Sequence, residues 1–277
     1  MKICYLMLLK RFGEVEQKLI DAFWPGPLTI VFKKSAKIPE VVTAGLETVA
    51  VRMPANEIAM KLLKYADLPI AAPSANVSGR PSGTCIKDIK GELEGKVNYI
   101  IDAGAVEIGL ESTVVKVEND VVYILRPGKV TKEKIEELGL ATEVQSQVME
   151  ECKKDETPMS PGMKYRHYAP ETKCVLVYSE DEAKLVEEVN RIIDKYNGNV
   201  LVLAKNENLE KYDVENKMGM GDTLEEIAKN IFTLLRKVDS YDVELVVIEG
   251  VKSEGLGLAI MNRLIKACDG NFLQNKH

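Results

Sequence analysis

The sequence predicts a mixed α/β (α+β) protein with two unlike parts: a twisted mixed sheet over residues 1–140 and a smaller parallel α/β sheet over 171–277. Three observations carry this. Helix and strand patterns in the first part do not alternate strictly and include a hairpin signal, which suits an α+β sheet. From Lys173 onward, strands apolar on both faces alternate with amphipathic helices, as in a parallel sheet covered on each side. Residues 141–170 are polar, poor in periodic apolar positions and broken by Pro158, Pro161 and Pro170, so they read as an interdomain linker or lid.

Taken in order, Glu14 to Phe23 places Val15, Leu19, Ile20 and Phe23 on one helical stripe, which Trp24-Pro25-Gly26-Pro27 must end. Leu28 to Phe32 and Thr48 to Met53 read as strands. Asn56 caps a helix running to about Ala66, with Ile58, Met60, Leu62 and Leu63 on its apolar face. A strand is expected into Pro73, a helix near Cys85 to Leu93 and a further strand at Tyr99 to Asp102. Ser112 to Val117 and Val121 to Leu125 flank Glu118-Asn119-Asp120 as a hairpin. Thr131 caps a short helix through Leu138. In the second part, strands at Cys174–Tyr178, Asn199–Ala204 and Val243–Glu249 alternate with helices at Glu182–Tyr196, Leu224–Val238 and Leu256–Cys268.

A length of 277 residues fits two domains. The net charge of −6 argues against a surface that is broadly a nucleic-acid platform. Five scattered cysteines without a CxxC pair point to free thiols in a reducing cytoplasm, and two histidines make a His-rich metal site improbable. No apolar run reaches the roughly 18 residues of a membrane span, and the short apolar start, Met1 to Leu9, lacks a signal-peptide cleavage site.

The most informative stretch is Ile70 to Gly83, where an apolar run stops at Pro73 and passes into Ser74-Ala75-Asn76-Val77-Ser78-Gly79-Arg80-Pro81-Ser82. Short hydroxyls, an amide, glycines that allow close backbone approach and a fixed cation are what a phosphate or nucleotide needs. The segment Ser160 to Pro170 concentrates Lys164, Tyr165, Arg166, His167 and Tyr168, a composition suited to folding over a charged ligand. Gly219-Met220-Gly221 and Gly255-Leu256-Gly257 lack a full GxGxxG after a strand, so they read as turns and helix-entry packing.

FWPGPLTIVFKK, AGLETVAVRMPAN, LPIAAPSANVSGRPSGT, ESTVV, ILRPG and SPGMKYRHYAP occur in the order seen in the YrdC/Sua5 family, and EGVKSEGLGLAIMNRLIKA resembles the C-terminal domain of its Sua5 branch. The resemblance covers Phe23 to Cys268. It implies a YrdC-like domain followed by a Rossmann-like Sua5 domain, and L-threonylcarbamoyladenylate synthesis: L-threonine, bicarbonate and ATP, with Mg²⁺ accompanying ATP, give threonylcarbamoyl-AMP and pyrophosphate. A downstream threonylcarbamoyl transferase then uses the product to modify tRNA. The family's Pro-Thr-Glu-Thr-Val-Tyr-Gly-Leu, Lys-x-Arg and Asn-Pro-Leu segments have no counterpart here, and Lys10-Arg11 does not continue their pattern. The chain as given is therefore expected to lack the N-terminal part of the first domain, through a start assigned too late or a genuine loss, to expose sheet edge and core there, and to bind ATP weakly.

Carried over residue by residue, the resemblance assigns Thr48, Ser74, Asn76, Ser82 and Arg126 to ATP. It assigns Arg52, Ala72 and Ser112 to threonine, and Arg166, His167 and Tyr168 to a lid. No protein side chain is expected to bind metal. Several assignments have a plainer counterpart: a strand-end arginine for Arg52, a cross-strand threonine for Thr48, an Asx or Ser turn for Ser74 and Asn76, a strand-capping serine for Ser112 and a structural histidine for His167. Arg80 reads equally as a ligand contact and a solvated charge. A competing reading is a double-stranded RNA or tRNA-binding module, or an inactive homologue that still mediates assembly. Salt-sensitive RNA binding without nucleotide binding would favour the module.

Overall fold

The structure is a computed structural model that describes residues 12–77, 79–146 and 169–274. Helix α1 (Glu14–Phe23) starts where the Glu16 carboxylate accepts the Gly13 N–H at 2.9 Å. Strand β1 (Leu28–Lys33), the single turn α2 (Glu40–Thr43) and strand β2 (Thr48–Arg52) follow. Asn56 Oδ1 accepts the Ile58 and Ala59 N–H groups at 3.1 and 3.0 Å and so caps α3 (Glu57–Ala66). Next come α4 (Ile86–Leu93), the hairpin β3 (Thr113–Glu118) and β4 (Val121–Arg126), α5 (Lys132–Glu136) and β5 (Thr142–Val144). The last third runs β6 (Cys174–Tyr178), α6 (Glu182–Lys195), β7 (Val200–Ala204), a 3₁₀ turn (Asn206–Lys211), β8 (Asn216–Gly219), α7 (Leu224–Val238), β9 (Leu245–Glu249), α8 (Leu256–Ala267) and β10 (Phe272–Gln274).

Two compact units divide these residues: 12–74 with 111–146, and 75–110 with 169–274. In the first, the sheet order is β2-β1-β3-β4-β5, with β1 antiparallel to β2 and parallel to β3, β3 antiparallel to β4, and β4 parallel to β5. This is the expected mixed sheet. One face buries Leu28, Ile30, Phe32, Val115, Val122 and Ile124 against Leu19 and Ile20 of α1 and Ile135 of α5. Those positions alternate along each strand, so the opposite face is left for other uses.

In the second unit, β10-β6-β9-β7-β8 is parallel throughout. Val175, Val177, Val200, Val202 and Val247 bury one face against Leu185, Val189, Ile192 and Ile193 of α6. Leu176, Leu201, Leu203, Val246 and Ile248 are buried as well, which explains why these strands read as continuous apolar runs. Gly221 has φ of +138°, and Gly255 opens α8 at φ of +52°. Gly221 thus sits at a turn and Gly255 at a helix entry, the roles the sequence suggested for the two pairs.

The structure corrects two strand expectations. The segments into Pro73 and at Tyr99–Asp102 form no strand, and Ile70, Tyr99 and Ile101 are exposed. An extended run becomes a strand only when a neighbour receives its N–H and C=O groups, and no described residue pairs with either segment. Conversely, Thr142–Val144 lies within the stretch read as linker and yet adds a fifth strand beside Val122–Ile124. Helix α3 is amphipathic and capped as expected, but none of its residues is buried.

Candidate functional site

Alternation on β1 builds the site. With Leu28, Ile30 and Phe32 in the core, Thr29 faces the other way. The register sets Thr29 opposite Arg52 on β2 and opposite Val114 on β3, and paired residues share a face. Ser112, two residues before Val114, joins that face: its hydroxyl lies 2.7 Å from the Thr29 hydroxyl, and the residue is only 4% exposed.

Arg126 reaches the same face through a bulge. Val122 and Ile124 point into the core, and strict alternation would send Arg126 in after them. Instead the pairing shifts from Val115↔Ile124 to Val114↔Arg126, so Leu125 is the extra residue and the arginine is turned onto the Ser112 side. Arg126 Nε and Nη2 donate to the Ser112 carbonyl at 3.2 and 3.0 Å, and Nη2 also reaches Ser112 Oγ at 3.3 Å. A polar row therefore crosses four neighbouring strands: Arg52, Thr29, Ser112, Arg126. Three interstrand spacings set the two arginine backbones about 14 Å apart.

Arg52 presents its surface to solvent, yet the protein mass around it displaces water and draws its pKa below the ordinary arginine value. A guanidinium remains charged at neutral pH after such a shift. Two fixed cations flanking paired hydroxyls suit an elongated ligand with a carboxylate at one end and a phosphate at the other. Among the described residues no group of three His, Cys, Asp or Glu side chains forms a metal site.

The other sequence candidates are placed as follows. Thr48 shares the Arg52 face but sits at the far end of β2, four residues and about 13 Å away. Ala72 and Ser74 lie on exposed irregular chain in the first unit, and no hydrogen bond ties Ser74 to the row. Asn76 and Ser82 belong to the second unit. Asn76 Nδ2 donates to the Val77 and Arg80 carbonyls at 2.9 and 3.0 Å, which shapes the loop as an Asx-type turn and leaves Oδ1 as its unpartnered acceptor. An acceptor cannot hold a phosphate oxygen, so the Asn76 side chain as placed serves the loop backbone and offers no donor to an anion. Ser82 is half-buried beside Pro81. Arg80 is exposed and pairs at 4.0 Å with Glu92 and at 3.5 Å with Glu171, the solvated-charge reading. Arg166, His167 and Tyr168 lie outside the described residues.

Sequence reasoning missed two groups. Thr29 was visible as the polar position of an otherwise apolar strand. Glu92 had no sequence signal, yet its Oε2 accepts the Val77 N–H at 2.7 Å and its Oε1 the Arg236 guanidinium at 2.6 Å. Burial alone would raise the Glu92 pKa, but the Val77 N–H and Arg236 outweigh it and hold the carboxyl below its usual 4.5. A depressed carboxyl pKa contributes stability that is complete above the unfolded value and is lost as pH falls through the folded value. Thermal unfolding should therefore show stability declining below about pH 4.5, and Glu92→Gln should flatten that decline; an unchanged acid slope in the variant would remove Glu92 from this role.

Residues 130–268 match the family model described as "Threonylcarbamoyl-AMP synthase, C-terminal domain", and residues 5–128 match the Sua5/YciO/YrdC model described as "Telomere recombination". The chain is 42% identical to the threonylcarbamoyl-AMP synthase of Pyrococcus abyssi over 264 residues, spanning 94% of this chain and 76% of that protein. It is 38% identical to the threonylcarbamoyl-AMP synthase of Bacillus subtilis, over 94% of this chain and 75% of that one. The crystal structure of P. abyssi Sua5 complexed with L-threonine matches with a TM-score of 0.89 at 41% identity, covering 98% of this chain and 78% of that one.

Proposed function

This chain belongs to the Sua5-type family of threonylcarbamoyl-AMP synthases, and we propose that it catalyses the reaction for which those relatives are named. L-Threonine and bicarbonate condense to a carbamate with loss of water. A carbamate oxygen then attacks the α-phosphorus of ATP in line, the bond to the β-phosphate oxygen breaks, and pyrophosphate leaves with that electron pair. The step is a nucleotidyl transfer, and positioning with charge neutralisation dominates its rate.

The observation that carries this reading is the polar row Arg52–Thr29–Ser112–Arg126 on the face opposite the core. Arg52 clamps the threonine carboxylate with a planar, bidentate guanidinium, and Arg126 neutralises phosphate oxygens at the other end. Ser112 is nearly buried, so its part is to orient Thr29 and Arg126 as much as to touch threonine. The loop Asn76–Ser82 supplies nucleotide contacts, chiefly through backbone groups. Mg²⁺ arrives on the ATP phosphates, since hard cations of this kind keep few protein ligands.

No helix among the described residues is long and apolar enough to cross a membrane. Free Cys85, Cys174 and Cys268 suit the reducing cytoplasm. The product, a reactive mixed anhydride, passes to a transferase that modifies an adenosine of tRNA.

Pyrophosphate release by the purified protein tests the reading. Release should require threonine, bicarbonate and ATP together, with AMP retained in the product. Release that continues without threonine, or ADP as the nucleotide product, would overturn it.

A further inference from the structure

The irregular chain at 76–77 and 79–84 is held by a helix of the parallel sheet. Arg236, in the last turn of α7, donates from Nη1 to the Pro81 carbonyl at 2.7 Å. Its Nη2 donates to Glu92 Oε1 at 2.6 Å and to the Asp88 carbonyl. Glu92 in turn receives the Val77 N–H, and the Val77 carbonyl receives Asn76 Nδ2. One guanidinium thus fastens both ends of the loop. A second link runs parallel to it: the Thr84 and Thr233 hydroxyls are 2.9 Å apart.

This arrangement differs from an ordinary surface ion pair. The side chains of Arg236 and Glu92 are 17% and 11% exposed, against 57% for Arg80. Screening is weaker at such a site, and the planar fork serves two carbonyls and a carboxylate at once. Lysine has one charged point and cannot reproduce that fork. A loop without regular structure gains most from such a clamp, because every residue it leaves free recovers backbone entropy.

We infer that Arg236 is a positioning residue for nucleotide binding, presetting the Asn76–Ser82 loop from the C-terminal part of the chain. The inference rests on the reading of that loop as a nucleotide contact, and it gives the C-terminal sheet a task in the reaction.

Steady-state pyrophosphate release by the full chain, with ATP and threonine varied separately, tests it on Arg236→Ala, Arg236→Lys, Thr233→Val and Asn76→Ala. Arg236→Ala should raise the KM for ATP about ten-fold while kcat and the KM for threonine stay within about two-fold. Arg236→Lys should recover little of the loss, and Thr233→Val should shift the ATP KM about three-fold in the same direction. Should Arg236→Ala fail to fold, Arg236→Lys and Thr233→Val decide the matter, and an unchanged ATP KM in both overturns the inference. A raised ATP KM in Asn76→Ala with an unchanged one in Arg236→Ala overturns the inference and leaves the loop reading intact. An unchanged ATP KM in Asn76→Ala and Arg236→Ala alike overturns the loop reading itself. A fall in kcat and thermal stability with both KM values unchanged would make Arg236 a structural brace only.

Discussion

Arg126→Ala is expected to raise the KM for ATP by about 100-fold, the loss of a charge-assisted contact of roughly 1.5–3 kcal/mol. The truncation removes the cation proposed for the phosphates, and it also strips the donors from the Ser112 carbonyl and weakens the hold on its hydroxyl. Ser112 is buried, so water replaces those donors poorly. Arg52→Ala should behave differently. Arg52 lies three strands away, at the edge of the sheet, and its loss should raise the KM for threonine by a similar factor with little change for ATP. Separate KM titrations of the two variants check this. The reverse pattern, Arg126→Ala weakening threonine and Arg52→Ala weakening ATP, would exchange the roles of the two ends of the row.

Gly257→Ala should destabilise the C-terminal sheet by about 3 kcal/mol, near the top of the range for overpacking a tight contact. A methyl at this position would run into the Lys252 carbonyl oxygen and sit 3.6 Å from Val251 Cγ2. The carbonyl is backbone and cannot swing aside, so the turn before α8 would have to move. Gly255→Ala next door has open space and only its backbone conformation (φ +52°, ψ −125°) to contend with, a sparsely populated region that costs about 1–3 kcal/mol. Chemical denaturation of the two variants provides the measurement. Equal losses, or the larger loss at Gly255, would show that helix entry is limited by backbone conformation and not by close packing.

The features legible in the sequence were those that depend on near neighbours. Helix α3 follows from Asn56 and its apolar stripe, and the hairpin of β3 and β4 from two apolar runs around Glu118-Asn119-Asp120. The parallel second sheet follows from strands apolar on both faces. Arg52, Ser112 and Arg126 were nameable because whole motifs carry them. Where pairing had to be guessed, the reading failed: Ile70–Pro73 and Tyr99–Asp102 have strand composition and no strand partner, while Thr142–Val144 lies in polar chain and finds one in β4.

The sequence by itself determined the type and order of most elements, the family and the chemical kinds of side chain at the site. Tertiary structure alone decided which of those side chains share a face. Alternation sends Arg126 into the core, and only the bulge at Leu125 turns it to Ser112. Thr29 becomes part of the site through pairings with Arg52 and Val114, 23 and 85 positions further along the chain. Glu92 and Arg236 carry no sequence signal, and only the folded chain brings Val77 to the one and Pro81 and Asp88 to the other. The physical reason is range: a helix cap or a strand period is set within a few bonds, whereas register and ion pairing depend on segments that meet only when the chain has folded.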